Sequence, residues 1–304
     1  MFMVKNSLLV VIIFLSLLGC SASDEDAADA VSFLADATVS YKTIAEVPTN
    51  LTSLDVYTVP NSKDLKPVVV WVHGGGWAIG DKLNNMDVKV PFFRDLGYVF
   101  VSVNYRLSPF PYELSNATRI KHPDHITDVA DALKWVYNTI SLYGGDKKQI
   151  VVLGHSAGAH LAALVGTNQT LLTSRSIPMD HIRGIGTFDT QAYNIKKAIA
   201  SLAEDDLYIN AFGDNEEIQN EASPELQIEE VSVLVKNWLL VKRGNEARRE
   251  ILGNFTAKLQ SKNVSVSTIE AASYTHEEIN SLIGSRIDLL MTQPIVEFLQ
   301  SCFE

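Results

Sequence analysis

The sequence predicts an α/β protein in which a mostly parallel central sheet is covered by helices on both faces. Short continuous apolar runs, at residues 67–72, 98–103 and 149–153, read as strands buried on both sides. Segments with helical spacing alternate with them, which is how parallel strands are connected. At 304 residues, 46% hydrophobic and 20% charged, the chain is long enough to build one such domain around a sizeable core.

Taken in order, residues 38–44 and 54–59 alternate apolar and polar side chains at period two, which predicts an opening antiparallel hairpin. The strand at 67–72 runs into His73-Gly74-Gly75-Gly76-Trp77. A helix is predicted around 88–96, and the strand at 98–103 ends in Asn104-Tyr105-Arg106-Leu107-Ser108-Pro109. Between 124 and 143 the apolar residues Ile126, Val129, Ala130, Leu133, Val136, Tyr137 and Ile140 share one helical face, and acids lie early in the segment. Gly144-Gly145-Asp146 closes that helix before the strand at 149–153.

That strand stops at Gly154, and an Ala-rich helical run starts just after Ser156. Small residues at Gly154 and Gly158 permit the sharp turn that lifts one side chain above the strand end, and that side chain is a serine. A short strand at 182–188 ends at Asp189. Residues 190–232, acidic and weakly periodic, predict a partly helical insertion over the C-terminal edge of the sheet. A strand at 238–241, a helix at 246–259, a last strand at 264–269 and a closing helix starting over 294–299 complete the order. His276 falls in the loop after the last strand.

The formal net charge of -11 argues against a nucleic-acid partner, because phosphate binding needs a surplus of Lys and Arg. The N-terminus carries an address. Lys5 precedes an apolar run at 8–18 that is too short to span a bilayer comfortably, and Leu17-Leu18-Gly19-Cys20 resembles the lipobox of bacterial lipoproteins. The resemblance implies a signal peptide over 1–19, acylation of Cys20, a polar tether over 20–37 and a domain over 38–304. The implied location is an exported, membrane-anchored lipoprotein, with Ser21 after the cysteine favouring the outer membrane. Cys302 is the other cysteine of the chain, so no intrachain disulfide is expected once Cys20 is lipidated.

Chemistry centres on Ser156. A serine hydroxyl needs a neutral imidazole within hydrogen-bond reach to become nucleophilic, and His276 is placed for that task at the C-terminal edge of the sheet. Attack creates an oxyanion, and the backbone N–H groups of Gly75, Gly76 and Ala157 can be aimed at it. His73, His155 and His160 read as neighbours that shape the site. His122, His125 and His181 read as packing or solvated residues, too sparse in companions for a metal site.

His-Gly-Gly-Gly-Trp, Asn-Tyr-Arg-Leu-Ser-Pro and Gly-His-Ser-Ala-Gly, in this order, resemble the α/β-hydrolase superfamily. The likeness is greatest to its esterase/lipase branch, shared by hormone-sensitive-lipase-like and carboxylesterase-like bacterial enzymes, and covers roughly residues 38–300. It implies an α/β-hydrolase fold and a serine hydrolase that cleaves carboxylic esters of small or medium acyl groups through an acyl-enzyme. No cofactor or metal is implied, and the partners are a small-molecule ester and, through the anchor, a membrane. An amidase, arylformamidase or peptidase of the same fold shares the chemistry.

The acid of the triad departs from the family pattern. Members usually place an Asp three residues past a Gly after the penultimate strand, whereas Gly244 is followed by Asn245, Glu246 and Ala247. Glu246, one residue short, is one alternative, and Asp189, at the end of the strand before, is the other. With neither, the site would be a weakened dyad, and a retired hydrolase that binds a ligand at the cell surface is the corresponding reading. Trp77 and Tyr105 are candidates for walls of the substrate pocket, although core packing explains such aromatics equally well. Asp81 and Arg106 resemble a polar pair bracing the loops around the oxyanion donors.

Overall fold

Strands β1 (Ala37–Ser40), β2 (Ser53–Tyr57), β3 (Lys66–Val72), β4 (Val99–Val103), β5 (Gly145–His155), β6 (Ile182–Phe188), β7 (Asn237–Lys242) and β8 (Ser265–Glu270) form one sheet. Their order is β1-β2-β4-β3-β5-β6-β7-β8 in the computed structural model, which describes residues 34–201, 206–230 and 233–304. The leader 1–19, Cys20 and most of the tether lie outside the described residues. β1 and β2 pair antiparallel with each other and β2 antiparallel with β4, and every later pairing is parallel.

The helices are α1 (Met86–Asp95), α2 (Asp124–Thr139), α3 (Ala157–Thr167), α4 (Gln169–Thr173), α5 (Ile195–Ala200), α6 (Asp206–Phe212), α7 (Glu216–Glu221), α8 (Pro224–Glu230), α9 (Glu246–Ser261), α10 (His276–Ser281) and α11 (Leu289–Phe303). They cover both faces, as the apolar runs require. Along β3, Val68, Val70 and Val72 join a core with α2, α3 and α9. Val69 and Trp71 point to the opposite core, built with α1 and α11. The period-two alternation of a strand thus feeds two cores from one run, and each fully buried Val or Phe contributes about 1.5–3 kcal/mol.

Several boundaries differ from the sequence expectation for identifiable reasons. The first hairpin strand ends at Ser40, after which Tyr41 turns its hydroxyl to the carbonyl of Asn104 at 2.9 Å. The closing helix begins at Leu289 rather than at Pro294, because Asp288 caps it by accepting from Met291 N–H, and Pro294 is carried inside the helix. The insertion resolves into short helices α5 to α8, of which α6 brings Leu207 and Tyr208 over the C-terminal ends of the strands.

Candidate active site

Ser156 stands between β5 and α3 with φ 55° and ψ -116°, a conformation that a side-chain-bearing residue adopts only when its surroundings force it. Two contacts force it here. Its N–H donates to the carbonyl of Phe188 at 2.9 Å, continuing the β5–β6 ladder in which His155 pairs with Phe188. On the other side, a Cβ at Gly158 would lie 2.0 Å from the carbonyl oxygen of Val72, so only glycine lets α3 approach the end of β3. This approach brings the glycine run beside the nucleophile turn.

In that run Gly75 has φ 110°, and its carbonyl is held by the N–H groups of Ala78 and Ile79 at 3.1 and 3.0 Å. The N–H groups of Gly75, Gly76 and Ala157 have no hydrogen-bond partner among the described residues. Ala157 opens α3, where an unpaired N–H is inherent to a helix start. Asn104, the first residue of Asn-Tyr-Arg, anchors the loop after the glycines by accepting from Lys82 N–H at 2.6 Å and donating to Asp81 at 2.9 Å.

His276 opens α10, with Thr275 as N-cap in a reciprocal capping box with Glu278. Its Nδ1 lies 2.6 Å from Asp189 Oδ2, and its carbonyl accepts from His155 Nε2 at 3.0 Å. The two imidazole rings lie 4.4 Å apart, centroid to centroid. Burial drives the His155 side chain down to about 3, assisted by the neighbouring His276, so His155 is a neutral donor here. Among the described residues no hydrogen bond joins Ser156 Oγ to His276, although both side chains line the same hollows. Such contacts commonly tighten only around bound substrate.

Asp189, with φ 54° and 2% exposure, follows β6 directly. Its Oδ2 accepts from His276 and from Arg243 Nε at 2.7 Å, and its Oδ1 accepts from Arg248 Nη2 at 2.6 Å. Burial opposes ionisation, but the His276 hydrogen bond, the charge of Arg248 and the Arg243 hydrogen bond outweigh it. Together they hold the carboxyl well below the usual carboxylate range. Glu246 is not part of this cluster. It is exposed in the first turn of α9, where Asn245 caps the helix by accepting from Arg248 N–H, and it answers the helix dipole instead of an imidazole. The geometry therefore puts Asp189, not Glu246, behind His276.

Trp77 is 3% exposed yet borders the larger hollow, held by donation from its Nε1 to His160 Nδ1 at 3.2 Å and by edge contacts with Tyr208 and Phe212. Tyr105 does not wall the pocket. It is fully buried, stacked on His73 at 4.5 Å and donating to the His73 carbonyl at 3.0 Å, so it braces the strand that leads into the glycines. Asp81 and Arg106 do not pair either. Asp81 accepts from Asn104 and Asn50, whereas Arg106 grips the buried Asp128 with both Nε and Nη2 at 2.8 Å.

Two hollows meet at Ser156 and His276. The larger, about 840 Å³, is bounded by Trp77, Gln191, Leu207, Tyr208, Arg243 and Arg248, and the other, about 510 Å³, by Ile79, Asn84, Asn85, Glu277 and Asn280. Sequence reasoning missed Arg243 and Arg248, which lie in no motif, and Leu207 and Tyr208, which lie in the weakly periodic insertion. The signal was there only in part: two arginines straddle the loop that lacks the expected Asp. Among the described residues no group of three or more His, Cys, Asp or Glu side chains is arranged to hold a metal ion.

A serine on a strained strand-to-helix turn, a carboxylate-held histidine and a glycine run in an eight-stranded, mostly parallel sheet define the α/β-hydrolase fold. Residues 54–230 match the BD-FAE family, and the chain belongs to it. Among curated proteins, the chain is 42% identical over 98 residues to esterase LipQ of Mycobacterium tuberculosis, across 32% of this chain and 21% of that one. It is 32% identical over 187 residues to isoprenylcysteine alpha-carbonyl methylesterase ICME of Arabidopsis thaliana, across 58% and 40%. The chain thus spans less than half the length of these relatives. Among solved structures it resembles Thermogutta terrifontis esterase 2 in its apo form, with a TM-score of 0.65, 21% identity, and coverage of 86% of this chain and 91% of that one. At that identity the likeness speaks to the fold.

Proposed function

We propose that this chain is a serine esterase that cleaves carboxylic esters of small or medium acyl groups through an acyl-enzyme. The observation that carries the reading is the 2.6 Å contact between His276 Nδ1 and the buried Asp189 at the lip of the hollow that Ser156 also lines. Esterase relatives and esterase fold neighbours support it.

In this reading Ser156 Oγ attacks the ester carbonyl while His276 Nε2 takes its proton, and Asp189 stabilises the resulting imidazolium. The N–H groups of Gly75, Gly76 and Ala157 receive the oxyanion, a service typically worth about 100- to 1,000-fold in turnover per donor. His276 then protonates the departing alcohol, and a water activated by the same imidazole releases the acid. The two hollows on either side of Ser156 take the acyl and alcohol portions. The motive for a retired, binding-only protein was a missing acid, and Asp189 removes that motive.

Ser156→Ala keeps the melting temperature and abolishes hydrolysis of short p-nitrophenyl esters and labelling by a fluorophosphonate probe. Retained hydrolysis in that variant rules the mechanism out. We further propose the location implied by Cys20, an exported lipoprotein held at a membrane. Palmitate labelling of the full chain that persists in Cys20→Ala contradicts it.

A further inference from the structure

Resting on the esterase reading above, we propose that the larger hollow is built for esters that carry a free carboxylate, with Arg243 as the residue that receives it. One ionised aspartate needs a single cation for neutrality, yet Asp189 faces two guanidiniums as well as an imidazole. Both arginines are only 22% and 23% exposed, so the surplus positive charge sits in a largely desolvated wall, where an unmatched charge is costly.

The two arginines are not equivalent. Arg248 has both terminal nitrogens engaged, Nη2 donating to Asp189 and Nη1 to Gln191 at 3.0 Å, while its Nε is buried without a partner among the described residues and out of a ligand's reach. Arg243 spends only Nε on Asp189 and makes one long contact, from Nη1 to the Tyr274 carbonyl at 3.5 Å. Its Nη2 has no partner among the described residues and is not shut away from solvent, and the side chain borders the hollow that Ser156 lines. Asp206, the other acid on this wall, is exposed and makes no ion pair among the described residues. The open edge of a guanidinium fixed through its Nε is a rigid fork that matches a carboxylate.

The distinction also separates this hollow from its neighbour, whose lining includes Glu277 and, among the described residues, no arginine. A substrate with an anionic end is therefore steered into the arginine side, and its reacting carbonyl is oriented before chemistry begins.

The test compares substrate pairs that differ only in charge: monomethyl adipate against its neutral amide counterpart for the acyl side, and 4-acetoxybenzoate against 4-acetoxybenzamide for the alcohol side. On one of the two sides the wild-type enzyme prefers the carboxylate by on the order of 10- to 100-fold in kcat/KM, the size of one charge-assisted contact. In Arg243→Gln that ratio falls to about one, chiefly through KM, and Arg243→Lys restores part of it. Because Arg243 also touches Asp189, the ratio and not the absolute rate is the readout, and thermal unfolding reports whether each variant is folded. As a second measurement, adipate binding to Ser156→Ala, followed by calorimetry, is lost on adding Arg243→Gln. A wild-type ratio at or below one on both sides, or a preference and adipate binding that survive Arg243→Gln, overturns the proposal. A wild-type protein that cleaves neither member of any pair but still binds adipate through Arg243 overturns the esterase reading alone.

Discussion

Replacing Asp189 by Asn tests the proposed acid, and the structure dictates how the experiment must be read. The carboxylate accepts from three donors, His276 and Arg243 on one oxygen and Arg248 on the other. An amide has one acceptor and one NH2 group. Whichever way it sits, the NH2 faces at least one N–H donor, and both arginines lose their counter-charge. Breaking a buried ion pair in this way costs about 3–5 kcal/mol. The arginines keep 22% and 23% exposure, which puts the cost at the lower end, roughly 3 kcal/mol. In a domain of this size that lowers the melting temperature on the order of 5–10 °C. Turnover falls by as much as ~10⁴-fold, because His276 loses the partner that fixes its tautomer and stabilises its charge. A fall in Tm therefore accompanies the loss of activity and does not argue against a catalytic role. The control is Glu246→Gln, an exposed residue in the first turn of α9, which costs at most about 1 kcal/mol through the helix dipole and leaves turnover intact. Steady-state kinetics on a short p-nitrophenyl ester, run well below both unfolding temperatures, decide the matter. Turnover in Asp189→Asn within tenfold of wild type, or a hundredfold loss in Glu246→Gln, refutes the reasoning.

Acid sensitivity follows from buried imidazoles. Burial lowers His73 and His122 to about 4 and His125, His155 and His160 to about 3. Each therefore charges more readily in the unfolded chain, and stability is complete above the unfolded value of about 6.5. It drains away as the pH falls toward 4, by up to about 1.4 kcal/mol per pH unit for each ring. The melting temperature should drop steeply between pH 6.5 and 5, and a flat profile over that window would falsify the account of these rings as buried and neutral. Two glycine substitutions separate steric need from helix propensity. Gly158→Ala drives a methyl to 2.0 Å from the Val72 carbonyl and should cost 3 kcal/mol or more, by the order of magnitude seen for overpacking, together with most of the activity. Gly253→Ala, exposed in α9 with nothing within 4 Å of the new methyl, should instead stabilise by about 0.5–1 kcal/mol, both read by thermal unfolding.

The architecture was legible because parallel strands covered on both faces need uninterrupted apolar runs. Val68 to Val72 and the run before Gly154 can hardly be anything else, and each ends on residues that must turn sharply. The turn that carries Ser156 and the place of His276 beyond the last strand were legible, and the two side chains line one hollow. The acid was ambiguous, since neither Asp189 nor Glu246 carries a local mark of its role. What separates them is burial and the three donors around Asp189, all brought from elsewhere in the chain. Tyr105 was misplaced for a related reason: an aromatic next to a motif looks the same from the sequence whether its ring faces a cavity or stacks beneath it, as this one does on His73. The arginines were invisible because long-range charge pairing leaves no periodic trace.

The bond from Ser156 N–H to the Phe188 carbonyl has a consequence for how such a site can change over generations. It continues a ladder between two adjacent central strands, so the proposed nucleophile and acid are spaced by backbone geometry, the least adjustable part of the molecule. Only the histidine comes from outside this ladder, at the start of α10. In an arrangement of this kind the segment between β7 and α9 is released from supplying a carboxylate, and it supplies instead a guanidinium that both holds Asp189 and borders the cavity. Arg243 lies in that segment and Arg248 in the first turn of α9, so a substitution at either acts on the cavity wall and on the proposed acid together.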